Sequence, residues 1–481
     1  MITLNFGMVA GLPEEEQKQL NELVWIYNYH QATNAKKRRY YEGKISLGEV
    51  NLGIAIPSSI SKLEIGCAWG AKAVDVLAAH SMFDGFVTEN GTESEEMAQI
   101  MNRNHLIAEY NKAVKEELKY GCAFAAVSGQ VDDAKIRFYS PNCAAASWNA
   151  TEGRIKYGFA FDDNRRDESD TTWTPEHVNF YTDTDIWVLD KLGGWSATRV
   201  PHEFGEPLMV AMIWGATNDK PFGRSRIGSP ERKLIDGYVR TVADATIGLE
   251  FATSPQKYLL GVSDDQYDAI IDNKFKQYVG SILTSTNNPE TGEKPTFGQL
   301  SQGSIEPHVQ MLRMLATQFS AATGLTVTDV GVVNDANPTS SEAILAQSQT
   351  LILLAEQLNK GNGDALYRIS KMALAIELGT TPGELGGVSQ ELIAHFKNPA
   401  MPSIASTTDA ALKIATAREG FAKTDVFLEM IGFDQADIKR IRAQESRANG
   451  EKILEGIINA DNGEGLEEVP ESNVEDITES L

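Results

Sequence analysis

The sequence predicts an α+β protein, mainly helical, on three observations. Residues 154–161 alternate apolar and polar side chains with period two, and four further short apolar runs follow between turn residues, as an antiparallel meander requires. From residue 230 onward, apolar side chains recur every three or four positions, the period of helices with one buried face. Hydrophobic residues make up 42% and charged residues 23% of the 481, ordinary values for a folded chain that exclude wholesale disorder.

The elements follow in order. Pro13 and Glu14-Glu15-Glu16 open a helix carrying Leu20, Leu23, Val24 and Tyr27, with acids at the favourable end of its dipole. It runs into Lys36-Lys37-Arg38-Arg39, read as a solvated basic helix end. Trp69, Val74, Val76 and Leu77 predict a packed helix, and residues 97–120 a single helix with Ile100, Ile107, Tyr110, Val114 and Leu118 on its buried side and Gly121 as its stop. In the meander Ile155, Tyr157, Phe159 and Phe161 are expected on one buried face, and residues 178–181, 186–189, 197–200 and 207–213 extend it.

Ser229-Pro230 starts the next helix, with Leu234, Ile235, Tyr238, Val242, Ala245 and Leu249 in register. A compact insertion at 251–303 separates it from a second helix, capped by Ser304 and carrying Val309, Leu312, Leu315 and Phe319 before Gly324. Residues 325–338 have no periodicity and read as an exposed loop. Thr339-Ser340-Ser341-Glu342 fits a capping box, and the long helix after it is expected to break at Gly361-Asn362-Gly363. A short strand at 394–402, several short helices to Gly450 and an acidic, disordered tail at 461–481 complete the reading.

Composition and motifs narrow the chemistry. Lys+Arg 43 against Asp+Glu 67 gives a net charge of −24, which disfavours a protein that grips nucleic acid by neutralising phosphates. Cys67, Cys122 and Cys143 lie far apart without a C-x-x-C pair, so neither a disulfide framework nor a structural zinc site is expected. The N-terminus lacks a secretion signal, and no apolar run of about 20 residues occurs to span a membrane. There is no G-x-x-x-x-G-K-[ST] cradle for a nucleotide and no H-E-x-x-H among the seven histidines. Gly223-Arg224-Ser225-Arg226-Ile227 misses the serine-hydrolase elbow at its fifth position. Asp183 and Asp185, two apart beside Trp187, are read as a solvated sheet face. No catalytic residue, cofactor or metal is expected.

The order of elements resembles the portal proteins of tailed bacteriophages, in particular those of long-tailed siphophages. The residues that carry the resemblance are Tyr40-Tyr41-Glu42-Gly43, His202-Glu203-Phe204-Gly205-Glu206-Pro207, Pro221-Phe222-Gly223-Arg224-Ser225-Arg226-Ile227, Leu234-Ile235-Asp236-Gly237-Tyr238 and Asn337-Pro338-Thr339-Ser340-Ser341-Glu342-Ala343. It implies a wing at 1–229, stem helices at 230–250 and 304–325, a clip at 251–303, a tunnel loop at 326–337, a long broken helix returning to the wing at 338–400 and a crown at 401–460.

The resemblance further implies a homo-oligomeric ring, typically of twelve, at one capsid vertex of the virion, assembled in the host cytoplasm, without enzymatic activity of its own. Double-stranded DNA would pass through it during packaging and ejection. Its other partners would be the terminase large subunit, a head-completion or connector protein, and the major capsid and scaffolding proteins. Thr326, Thr328, Asp329, Asn334, Asp335 and Asn337 are the channel-lining candidates, and Lys274, Lys276 and Lys294 the clip contacts. The loop segment holds no lysine or arginine, so no electrostatic grip on phosphate is expected there. A capsid or head-tail adaptor protein is the alternative, a metal-dependent hydrolase a more distant one.

Overall fold

The structure, a computed structural model, describes residues 3–46, 64–88, 95–163, 173–191, 193–253, 257–260, 292, 294, 296–299, 304–331, 341–385, 392–400, 404–418, 420–433 and 435–461. The chain divides into two compact units, Met1–Ala400 and Met401–Leu481. Its fold is α+β, as expected.

The first unit opens with α1 (Glu14–Tyr41), β1 (Lys44–Ser46), β2 (Glu64–Gly66), α2 (Trp69–His80) and β3 (Phe83–Val87), followed by α3 (Glu95–Asn104) and α4 (Leu106–Tyr120). Eight strands come next: β4 (Cys122–Gln130), β5 (Asp133–Tyr139), β6 (Ala144–Asn149), β7 (Arg154–Ala160), β8 (His177–Tyr181), β9 (Asp185–Lys191), β10 (Trp195–Pro201) and β11 (Met209–Ile213). Then follow α5 (Ser229–Thr253), the pair β12 (Lys257–Leu260) and β13 (Thr296–Gln299), α6 (Glu306–Thr323), α7 (Ser341–Glu377) and β14 (Ile393–Phe396), which pairs with β3. The second unit holds α8 (Ile404–Ala417), α9 (Asp425–Ile431) and α10 (Gln435–Asp461). There Thr424 caps α9 by accepting from Phe427 N, and Arg442 pairs with Asp425 at 2.7 Å.

Strands β6 to β10 form the expected antiparallel meander in sequence order, but β11 leaves it and pairs with β4 in a three-stranded sheet ordered β11-β4-β5. The predicted single buried face of β7 is also corrected, because Gly158 and Ala160 are buried as fully as Tyr157 and Phe159. A Cβ on Gly158 would stand 2.6 Å from Met209 Sδ, so glycine lets β11 close over that face. A register shift opposite Ser147 and Trp148 leaves Lys156 unpaired and sends Ile155 to a different core from Tyr157. Such a bulge resets the alternation by one residue.

Two cores result. In the smaller, Leu20, Leu23 and Tyr27 of α1 and Leu4, Phe6 and Val9 of the N-terminal segment pack on Tyr157, Phe159, Phe180 and Trp187 of the meander. The larger joins α2, α3 and α4 to β4 and β11 and to the buried faces of α5, α6 and α7. The basic end of α1 is only partly solvated: Lys37 Nζ reaches Tyr120 O at 2.7 Å, and burial holds its pKa below the usual lysine range.

Residues 97–120 are two helices, not one. His105 takes a left-handed conformation, φ 49°, and the side chain of Asn104 donates to Ile100 O and Ala134 O while accepting from Ile136 N. The amide thereby occupies the outer edge of β5 as a peptide would. The break shifts the buried register, so Leu106 is buried and Ile107 is 42% exposed.

The predicted break in the long helix is absent: α7 runs 37 residues straight through Gly361, Asn362 and Gly363. Each glycine costs a helix about 1 kcal/mol relative to alanine, whereas each buried leucine or isoleucine contributes roughly 2 kcal/mol. Leu358, Leu366 and Ile369 flank the site, all buried. Asn362 is itself buried and donates to Glu117 Oε2 at 2.9 Å and Tyr110 OH at 3.1 Å. Ser81 and Tyr110 complete this network with a 2.7 Å hydroxyl pair.

Candidate functional site

The residues that could carry chemistry are dispersed. Among the described residues no three His, Cys, Asp or Glu side chains converge to hold a metal ion, and no helix is long and apolar enough to cross a membrane. The three cysteines are free. Asp183 and Asp185 do not share a solvated face. Asp183 is exposed in the turn before β9, whereas Asp185 is 3% exposed and accepts from Arg199 Nε at 2.6 Å and Nη2 at 3.1 Å. Burial works to raise the Asp185 pKa, but the bonds from Arg199 and Thr184 outweigh it and hold the carboxyl below its usual range.

What the fold does gather is the junction where α5 begins and α6 ends. The segment 221–228 crosses the C-terminus of α4 because Gly121, at φ 112°, turns the chain there; a Cβ on it would meet the Arg224 backbone at 3.1 Å. Ser225 Oγ then donates to Lys119 O, and Arg226 N to Leu118 O, satisfying carbonyls in the last turn of α4. The buried Arg226 guanidinium donates from Nε to Ala73 O of α2 at 2.6 Å and from Nη2 to Thr323 O in the last residue of α6. Burial lowers its pKa to about 10, which leaves it charged at neutral pH at the negative end of α6.

Around this guanidinium Trp69 packs on Tyr238 of α5 and Phe319 of α6, with ring centroids 4.5 and 5.0 Å away. Tyr40 OH donates to Asp236 of α5 at 2.6 Å. Gly324 closes α6 by donating to Ser320 O, and Ser320 Oγ donates to Leu325 O at 2.6 Å.

The segment after Gly324 is not a free loop in its first half. Leu325 and Val330 are buried, and Trp69 Nε1 donates to Val330 O at 3.2 Å. Of the channel-lining candidates, Thr326 and Asp329 bond each other: Asp329 Oδ2 accepts from Thr326 N at 2.9 Å and Thr326 Oγ1 at 2.7 Å. Thr328 is exposed, its hydroxyl 3.0 Å from that of Thr326. Asn334, Asp335 and Asn337 lie outside the described residues, as do Lys274, Lys276 and the tail beyond Asp461. Lys294 is described and exposed. The residues that build the junction, Trp69, Ser225 and Arg226, are not among the site residues the sequence predicts, although Ser225 and Arg226 belong to the Pro221–Ile227 motif.

The family model described as "Phage portal protein, SPP1 Gp6-like" matches residues 12–451. The chain belongs to this portal protein family. The match runs from α1 into α10, so it covers most of both compact units of the portal protein. Among solved structures, the neck of a native GTA particle computed with C12 symmetry contains a chain 13% identical, covering 76% of this portal protein and 89% of that chain at a TM-score of 0.44. The virion of a native gene transfer agent particle gives the same identity and coverage at 0.43. The neck of an empty GTA particle computed with C6 symmetry gives 13%, 73% and 86% at 0.43. No curated protein matches the portal protein.

Proposed function

We propose that this portal protein closes head-to-tail into a ring at one vertex of the capsid and that double-stranded DNA passes through the ring during packaging and ejection. One observation carries the ring. The N-terminal half of α6 leaves its apolar side chains uncovered in the single chain: Val309, Met311 and Met314 are 36%, 40% and 46% exposed, and Leu249 of α5 is 46% exposed. A closed ring needs two different patches per chain, each meeting the other on the next copy, and a helix pair with apolar side chains on its outer faces supplies them.

In this reading residues 1–229 form the wing, 230–250 and 304–325 the stem, 251–303 the clip, 326–337 the tunnel loop, 338–400 the helix returning to the wing and 401–460 the crown. The charge suits a conduit. Twelve copies of a chain with net charge −24 would carry on the order of −290, and a wall that repels a polyanion lets it slide where a basic wall would hold it. The chain itself performs no catalysis; a separate terminase burns the nucleotide, docking at the clip, which a head-completion protein later occupies. Capsid and scaffolding proteins contact the ring during assembly in the host cytoplasm. Complementation tests this reading: particles assembled without the chain should hold no nuclease-protected DNA, and adding it should restore filling. Filling at the normal level without it would refute the reading.

A further inference from the structure

The Pro221–Ile227 motif and the first residues after α6 meet at one point, and nothing in a conduit reading explains why a charged guanidinium is buried there. Arg226 spans the carbonyls of Ala73 and Thr323, two helices with no contact in sequence. It is therefore a C-terminal cap for α6 delivered from a distant segment, and its charge faces the negative end of that helix's dipole. Trp69, one turn before Ala73 on α2, does the second half of the work. Its ring packs at a tilt against Phe319 while its indole N–H holds Val330 O, so α2 grips the chain on both sides of Gly324. Between these grips the Thr326–Asp329 pair closes a tight turn, with Asp329 N donating back to Thr326 O at 3.1 Å and Gly331 N to Thr328 O at 3.1 Å.

We infer that Arg226 and Trp69 are positioning residues for the channel loop: they fix residues 325–331, the first part of that loop, to the body. The inference rests on the assignment of 326–337 to the channel. It also gives the Asp329 carboxylate an internal task, that of accepting from its own turn, and removes it from the DNA-facing set along with Thr326. Coupling follows from the same contacts, because a shift of α2 is transmitted to both ends of the turn through Ala73 and Trp69.

Hydrogen exchange on assembled full-length chain, with DNA retention in filled capsids beside it, tests this. Trp69→Phe keeps an aromatic ring beside Phe319 and Tyr238 and loses the Nε1 donor together with part of the buried ring volume. Arg226→Lys keeps the charge and loses the fork that spans two carbonyls. The expected result in both is exchange at least tenfold faster at the amides of Thr326, Asp329 and Gly331, unchanged protection in α5 and the first three turns of α6, and leakage of packaged DNA. Unchanged exchange at those three amides in both variants overturns the inference, and so does a rise spread evenly through α5 and α6, which marks a plain core role. Faster exchange at the three amides with DNA fully retained supports the anchor and overturns instead the assignment of the loop to the channel. Should Arg226→Lys not fold, Trp69→Phe alone decides by the same readings.

Discussion

Glu117 is wholly buried between α4 and α7, and only one of its carboxylate oxygens has a partner, the Nδ2 of Asn362. Its Oε1 and the Oδ1 of Asn362 are both buried without a hydrogen-bond partner among the described residues, an environment that favours a neutral carboxyl over a charged one. Burial pushes the Glu117 pKa from 4.5 up to about 8, the bond from Asn362 opposing it. The sign follows from linkage. Below pH 4.5 folded and unfolded chains both hold the proton; between 4.5 and 8 only the folded chain keeps it, so stability falls as pH rises; above 8 the slope vanishes. At about 1.4 kcal/mol per pH unit, the loss accumulated by pH 7 is about 3 kcal/mol. Glu117→Gln supplies a permanently neutral group of the same shape whose amide oxygen can keep the bond from Asn362 Nδ2. It should raise stability at pH 7 by about 3 kcal/mol, or roughly 3–4 °C in Tm for a cooperative unit of this size, and flatten the pH dependence between 5 and 8. Differential scanning calorimetry of both proteins at pH 5, 7 and 8.5 measures it. A variant less stable than the parent at pH 7, or a parent whose stability does not fall from pH 5 to 8, would refute the reasoning.

Two further substitutions test the packing that builds the junction and the sheets. Gly121→Ala places a Cβ at φ 112° and 3.1 Å from the Arg224 backbone, and should cost about 1–3 kcal/mol in chemical denaturation; a neutral result would show that the crossing of 221–228 is not tight. Asn104→Ala strips two buried backbone partners from the edge of β5, at about 1–3 kcal/mol for the groups left unpaired, and should speed amide exchange at Ile136 more than at Val127 on β4.

Much of the fold was legible because burial follows period. The helices α1, α2, α5 and α6 and the strands β8 and β9 each bury chiefly one face, and their apolar spacing shows it. The failures arise where a distant contact outweighs a local preference. Nothing near His105 marks a helix boundary; the break exists because Asn104 finds the edge of β5, a strand 30 residues on. Gly361-Asn362-Gly363 looks like a breaker until Glu117 and Tyr110, some 245 and 252 residues away, take up its asparagine. β11 reads as the next strand of the meander because alternation cannot say which sheet a strand joins. In the candidate site, the Thr326-x-x-Asp329 spacing is a local turn signal that could have been read, since a threonine and an acid three apart commonly bond each other's backbone. The Trp69 and Arg226 contacts, spanning 261 and 97 residues, leave no such mark.

The central claim is a closed ring of identical chains around a hole that admits duplex DNA. Electron microscopy of the purified full-length chain, averaged down the symmetry axis, measures this directly. The account predicts closed rings with a central opening of about 20 Å or more, enough for a duplex to slide. A stable monomer that never assembles, even beside capsid and scaffolding proteins, or closed particles with no axial opening, would contradict it.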